Sequence, residues 1–195
     1  MDSTREGARV RHLRYLMQRT YSYGALLGTL SCGVIVGRQV LWMSEGQEEF
    51  GRGLNRMFPA ERRRPGLVFW DKACERFRFV RVHPQPGWEG TTYMVDGWHF
   101  QGHKQLFCRV HTNPNLTTNP LPWEAGPSGA MRFMWNTSIA ESTKSWAHAL
   151  GSFLSSMRPC WIQFVFDQLR TVHNDLLVSK WRVQTHRTKP NIVIF

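Results

Sequence analysis

Acidic residues are scarce in this chain of 195 residues: 14 Asp plus Glu stand against 25 Lys plus Arg, a net charge of +11. A surplus of that size disfavours polycationic partners. It favours polyanions, because each neutralised phosphate releases condensed counterions. Cysteine is sparse as well. Cys32, Cys74, Cys108 and Cys160 lie far apart without a paired framework, which argues against a disulfide-stapled secreted scaffold and suits a reducing compartment. No hydrophobic run is long enough for a bilayer, since the longest, Ala25 to Gly37, is short and interrupted by Gly, Ser and Thr. The N-terminus is arginine-rich where a signal peptide would need an apolar core. Internal repeats, a phosphate-binding glycine loop and a Ser-His-Asp or Cys-His catalytic order are also missing. The expectation is a soluble protein, nuclear or otherwise intracellular, with DNA as partner and no membrane. A homo-oligomer stays open.

What is present is a foldable core. Apolar residues reach 42% and aromatics 13%, enough for one domain. Residues 1–22 form a basic arm with Arg5, Arg9, Arg11, Arg14 and Arg19, in which Val10, Leu13, Leu16 and Met17 follow helical spacing. Ala25–Leu30 and Val34–Trp42 read as a hairpin broken at Ser31-Cys32-Gly33. Ser44 to Met57 reads as a helix capped by Ser44, with Glu45, Glu48 and Glu49 near its positive end. After the basic turn Arg62-Arg63-Arg64-Pro65 come a strand Leu67–Trp70, a helix Lys72–Phe79, a loop Pro84–Gly90 and a strand Thr92–Val95. Residues 98–128 are loop-rich. Two helical patterns follow, separated at Arg158-Pro159. The first presents Ile139, Trp146, Ala149, Leu150, Phe153 and Leu154, the second Ile162, Val165, Phe166, Leu169, Val172 and Leu176. The basic tail, 180–195, ends in Ile192–Phe195, an expected edge strand. This order predicts an α/β fold with a mixed sheet and helices on its faces.

Asp71 and Asp96 each follow a strand, where such sheets place their chemistry. Glu141 falls in the first turn of a long helix. Carboxylates converging from such positions can hold Mg²⁺ or Mn²⁺ for phosphodiester cleavage. By spacing alone, a cap or a solvated charge is the commoner meaning of an acid there.

Three blocks in order resemble the Kyakuja–Dileera–Zisupton group of transposases. They are Phe69-Trp70-Asp71-Lys72-Ala73-Cys74; Val95-Asp96-Gly97-Trp98-His99-Phe100-Gln101-Gly102-His103 with Cys108 and Asn113-Pro114; and Asn136-Thr137-Ser138-Ile139-Ala140-Glu141 with Trp146, Met157 and His173-Asn174. The resemblance covers about Tyr23 to Asp175. It implies a ribonuclease-H-like transposase core over 23–179 with an Asp, Asp, Glu metal site. Asp71 then carries over as the second acid and Glu141 as the third, with Asp96 a further candidate. The first aspartate should stand on a strand before the hairpin. Only Asp2 and Glu6 precede it here, so the chain is expected to lack that acid and to be N-terminally incomplete or transposon-derived. Trp70 in place of tyrosine, and Ser142-Thr143-Lys144 in place of an asparagine, are further departures.

His99, His103, Cys108 and His111 form an H-x3-H-x4-C-x2-H series suited to tetrahedral Zn²⁺. A loop-rich segment is where such an ion contributes most to folding. Packing under Trp98 and surface exposure is the plainer alternative. Cys108-Arg109-Val110-His111 also resembles the Cys/Asp-x-x-His motif of other transposase superfamilies. Cys32, Cys74 and Cys160 read as buried small hydrophobes, and Trp135, Trp146 and Trp161 as core. Three functions compete: a metal-dependent nuclease and strand-transferase core with Asp71 and Glu141 holding Mg²⁺, a DNA-binding relative of it that is inactive by itself, which the missing first acid favours, and a non-catalytic zinc-stabilised interaction domain.

Overall fold

The computed structural model describes residues 24–42, 46–59, 64–116, 122–125, 127–133, 135–149, 151, 154, 157–183 and 192–194. The basic arm with its expected helix, the Ser44 cap, Arg62, Arg63, Leu150, Phe153 and residues 184–191 lie outside them.

The fold opens with an antiparallel hairpin, β1 (Gly24–Leu30) and β2 (Ile35–Leu41). Its turn needs Gly33, whose φ of 88° is a conformation that side chains rarely adopt. A Cβ there would also crowd Ile139 at 3.2 Å. Helix α1 (Gln47–Met57) starts after Gly46 without a side-chain cap. Phe50, Leu54 and Met57 recur at helical spacing and form its buried stripe. Strand β3 (Leu67–Phe69), helix α2 (Ala73–Val82) and strand β4 (Thr92–Met94) follow as a right-sized crossover unit. Helix α2 runs three residues past the expected end at Phe79.

The segment expected to be loop-rich holds a 3₁₀ turn (His99–Gly102), a short helix α3 (Leu106–His111) and strand β5 (Trp123–Ala125). Strand β5 pairs with β6 (Met131–Phe133) as a separate hairpin. Helix α4 (Ser138–His148) and the long helix α5 (Pro159–Val183) match the two helical patterns. Proline opens α5, where its missing N–H has no intrahelical partner to lose.

The main sheet is mixed, in the order β2-β1-β7-β3-β4, with β7 being Ile192–Ile194. Strand β7 is antiparallel to β1 and parallel to β3, and β3 is parallel to β4. The tail strand therefore lies at the centre of the sheet, not at an edge. Periodicity shows a strand but not its neighbours; the unpaired rims of β1 and β3 supply the pairing that decides its place.

Side-chain alternation divides the core into two layers. Val68, Trp70, Tyr93 and Val95 meet Phe50, Leu54 and Met57 of α1 and Ala73 of α2 on one face. Phe50 and Trp70 stack with ring centroids 3.6 Å apart. Leu67, Phe69 and Met94 meet Trp135, Ile139 and Ala140 on the other. Helix α5 lies along β2. Arg38 donates to Asp167 Oδ2 at 2.6 Å, and Asn174 both accepts from Ile35 N and donates to Ile35 O. Ile162 and Phe166 are buried as expected, but Val172 and Leu176 are exposed. Trp135 is core and Trp146 half-buried against His173, whereas Trp161 is exposed, contrary to expectation. No helix among the described residues is long and apolar enough to cross a membrane.

Because the Trp70 ring fills the space between α1 and the parallel strands, Trp70→Ala should cost about 3–5 kcal/mol. Urea unfolding measures it; a loss below about 1 kcal/mol would show that the Phe50 stack does not anchor α1.

Candidate metal centre and acidic edge

Strands β3 and β4 are parallel and in register, with Phe69 opposite Met94. Their exits therefore reach the same edge, and Asp71 and Asp96 each stand two residues beyond it. Both share the alternation parity of Leu67, Phe69 and Met94, the face covered by α4. Asp71 is half-buried in the turn before α2, and Asp96 is buried.

Asp96 is fully engaged by its own loop. Oδ1 accepts from Trp98 N at 3.0 Å and His99 N at 3.1 Å, while Oδ2 accepts from His99 Nδ1 at 2.5 Å. Since a carboxylate can only accept, Nδ1 carries the proton and Nε2 is turned outward. That atom lies 3.8 Å from Glu141 Oε1. Glu141 also faces Lys144 Nζ at 3.6 Å, one turn along α4. Asp71 and Asp96 thus leave the parallel strands at one edge, and Glu141 approaches Asp96 through His99; among the described residues these acids do not form a ligand cluster of metal-binding size. Asp96 serves His99 and is not free to hold an ion, and His99 spans the gap to Glu141.

A second constellation draws on residues further along these two exits. Cys74, His103 and Cys108 bring one ligand atom each to within 4.8 Å of one another. Cys74 sits in the first turn of α2, His103 just past the 3₁₀ turn, and Cys108 in α3. The Cys74 Sγ to His103 Nδ1 distance is 3.7 Å. Tetrahedral zinc with Zn–S near 2.3 Å and Zn–N near 2.0 Å needs about 3.5–3.8 Å between ligand atoms, so this pair fits. Burial and the neighbouring Cys108 push the Cys74 thiol up to about 11. Without a cation the thiol keeps its proton at neutral pH. Metal uptake must displace it and therefore strengthens as pH rises.

The ligand set read from local spacing is redrawn here. His103 and Cys108 belong to it, while His99 is committed to Asp96. His111 packs on Phe77 at 5.2 Å and Phe107 at 4.7 Å between ring centroids. The i, i+4 pair His99/His103 is broken because the chain forms a 3₁₀ turn there and leaves it at His103. Cys74, read as a small hydrophobe, enters the group. Its signal was indirect: it stands three residues after Asp71, at the exit of a strand parallel to the one that leads to His103. Cys160, read as buried, is exposed; Cys32 is half-buried, and burial pushes its thiol up.

Other quoted residues have structural work. His173 Nε2 lies 3.1 Å from Gly33 O, and with Asn174 it clamps the hairpin onto α5. Pro114 O accepts from Trp123 Nε1 at 3.1 Å and ties β5 to the loop after α3.

Compared with protein-family models, curated proteins and solved structures, the chain matches none. A mixed α/β fold and a group able to hold a metal such as zinc are therefore established by geometry alone.

Purified without a histidine tag, the chain should carry about one zinc per molecule. Cys74→Ser and Cys108→Ser should lose it, while His99→Ala and His111→Ala should keep it, as read by elemental analysis. Retention by both cysteine variants would refute this ligand set.

Proposed function

We propose that this chain is a transposon-derived DNA-binding protein whose core resembles that of the Kyakuja–Dileera–Zisupton transposases and which does not cut DNA by itself. The observation that carries the reading is the shared edge of the parallel strands, from which Asp71 and Asp96 both leave and at which His99 links Asp96 to Glu141. These residues come from the second and third of the resembling sequence blocks and, for Asp71, the first. A ribonuclease-H-like assignment draws support from the strand order. A hairpin lies on one side of a central strand and two parallel strands on the other. The resemblance expects the first acid on a strand that precedes the hairpin in the chain. The strand beside β1 within the sheet is β7, which follows the hairpin and whose residues Ile192, Val193 and Ile194 supply no carboxylate.

The same geometry argues against cleavage. Two-metal displacement on phosphorus needs carboxylates shared between ions. With Asp96 consumed by His99, Asp71 and Glu141 are left to hold at most one Mg²⁺ or Mn²⁺ loosely. One ion cannot stabilise both the attacking and the leaving oxygen. The basic surplus supports DNA as partner, and zinc at Cys74, His103 and Cys108 would staple the segment after β4 to α2. The interaction-domain reading rests on that staple alone.

Binding to duplex DNA of arbitrary sequence should weaken by orders of magnitude between about 50 and 200 mM salt. Under the same conditions, added Mg²⁺ or Mn²⁺ should give no nicking. Affinity that is flat with salt would favour the interaction domain. Metal-dependent cutting abolished in Asp71→Asn or Glu141→Gln would instead make the chain an active nuclease.

A further inference from the structure

Beside the metal centre lies an open cleft of about 390 Å³ lined by Phe100, Gln101, His103, Lys104, Arg109 and Asn113. We propose that this cleft is a binding site for the phosphodiester backbone of DNA, with Lys104 and Arg109 contacting phosphate. The inference rests on the DNA-binding reading above and assigns that binding to a place.

Four observations carry it. No acidic side chain lines the cleft, and Lys104 and Arg109 place two cations on its wall. Lys104 and Arg109 are exposed, and neither side chain forms an ion pair or hydrogen bond to another described residue. Most other described arginines are spent: Arg38 on Asp167, Arg52 on Glu49, Arg56 on Gln39, and Arg64 on Pro86 O. Cations left unpaired and aimed at one concavity keep their full charge for an incoming anion. Gln101 and Asn113 add amides that can donate to phosphate or sugar oxygens.

Size and rigidity agree. The volume falls within the range of about 300–1,000 Å³ typical of sites for whole small molecules, far more than one phosphate ion fills. A backbone phosphate with its flanking sugar suits it better. Phe100 supplies an apolar floor, stacked parallel to His103 with centroids 6.4 Å apart. His103 is at once a wall of the cleft and a member of the metal group, and Cys108 precedes Arg109. An ion bound there would fix the spacing of the two cationic segments before DNA arrives, which lowers the ordering cost of binding. Arg78 reinforces the arrangement, donating to Gln105 Oε1 at 3.3 Å and lying over Phe107 at 4.1 Å.

The test uses the full zinc-loaded chain and a fluorescent duplex of arbitrary sequence, titrated at several salt concentrations. Three proteins are compared: the unaltered chain, a Lys104→Gln/Arg109→Gln double variant, and an Arg52→Gln/Arg158→Gln double variant of equal charge. All substituted side chains are exposed, and equal melting temperatures check that the fold is kept. The cleft variant should bind roughly tenfold or more weakly and lose about two units of salt slope, one for each phosphate contact. The control should change little. If the two variants weaken binding equally, the cleft is not the site, although the DNA-binding reading survives. If the unaltered chain fails to bind at low salt, that reading falls and the cleft proposal falls with it.

Discussion

The in-register parallel pairing of β3 with β4 is the constraint on which the rest of the molecule depends. Parallel neighbours must be joined by a crossover, and here α2 provides it. The pairing sends both chain exits to one edge. One exit carries Asp71 and then Cys74, the other Asp96, His99 and then His103. Because side chains alternate across the sheet, the acids fall on the α4 side. The sulfur and imidazole ligands are reached only after each chain has turned. An acidic edge and a group able to hold a metal thus arise from one pair of three-residue strands.

Such short strands need support, and the opposite layer gives it. Arg76 of α2 is fully buried and no described carboxylate pairs with it. Its guanidinium donates to Gln47 O at 2.9 Å and Gln85 Oε1 at 2.7 Å. It also lies 5.5–5.6 Å from the ring centroids of Phe50, Phe79 and Tyr93. Aromatic faces and carbonyl oxygens offset part of the desolvation of the charge. The arrangement ties α1, α2, β4 and the loop at Gln85 to one centre. Gly51 makes room for it, since a Cβ there would approach the guanidinium nitrogens to 3.2 Å. Burial also raises the Tyr93 phenol, keeping that ring neutral beside the cation.

The metal centre and the cleft share this economy of placement. Helix α3 is only six residues long, yet it contributes Cys108 inward and Arg109 outward. Phe107 and His111 hold it against Phe77 of α2. Stability from the aromatic side frees the opposite side of the helix to stay cationic and unpaired.

Local chemistry was legible in the residues themselves. The glycine turn and β-branched runs predict the β1–β2 hairpin, the stripe of Phe50, Leu54 and Met57 predicts α1, and strand-then-acid order predicts where Asp71 and Asp96 stand. His103 and Cys108 were legible as candidate ligands because their types and spacing suit a metal. Neighbourhood across the sheet was not legible. Nothing near Cys74 in sequence marks it as a partner of His103, because their contact depends on two strands pairing in parallel. His99 has the right type for a ligand, but the loop geometry that gives it to Asp96 exists only once β4 ends. The strand Ile192–Ile194 shows its type by composition, whereas its central place depends on which strand rims remain unpaired. Sequence by itself determined the elements and the residue chemistry, since both arise within a few residues of chain. Tertiary structure alone decided which chemistries meet, because register and strand order are set by burial and backbone pairing between distant segments.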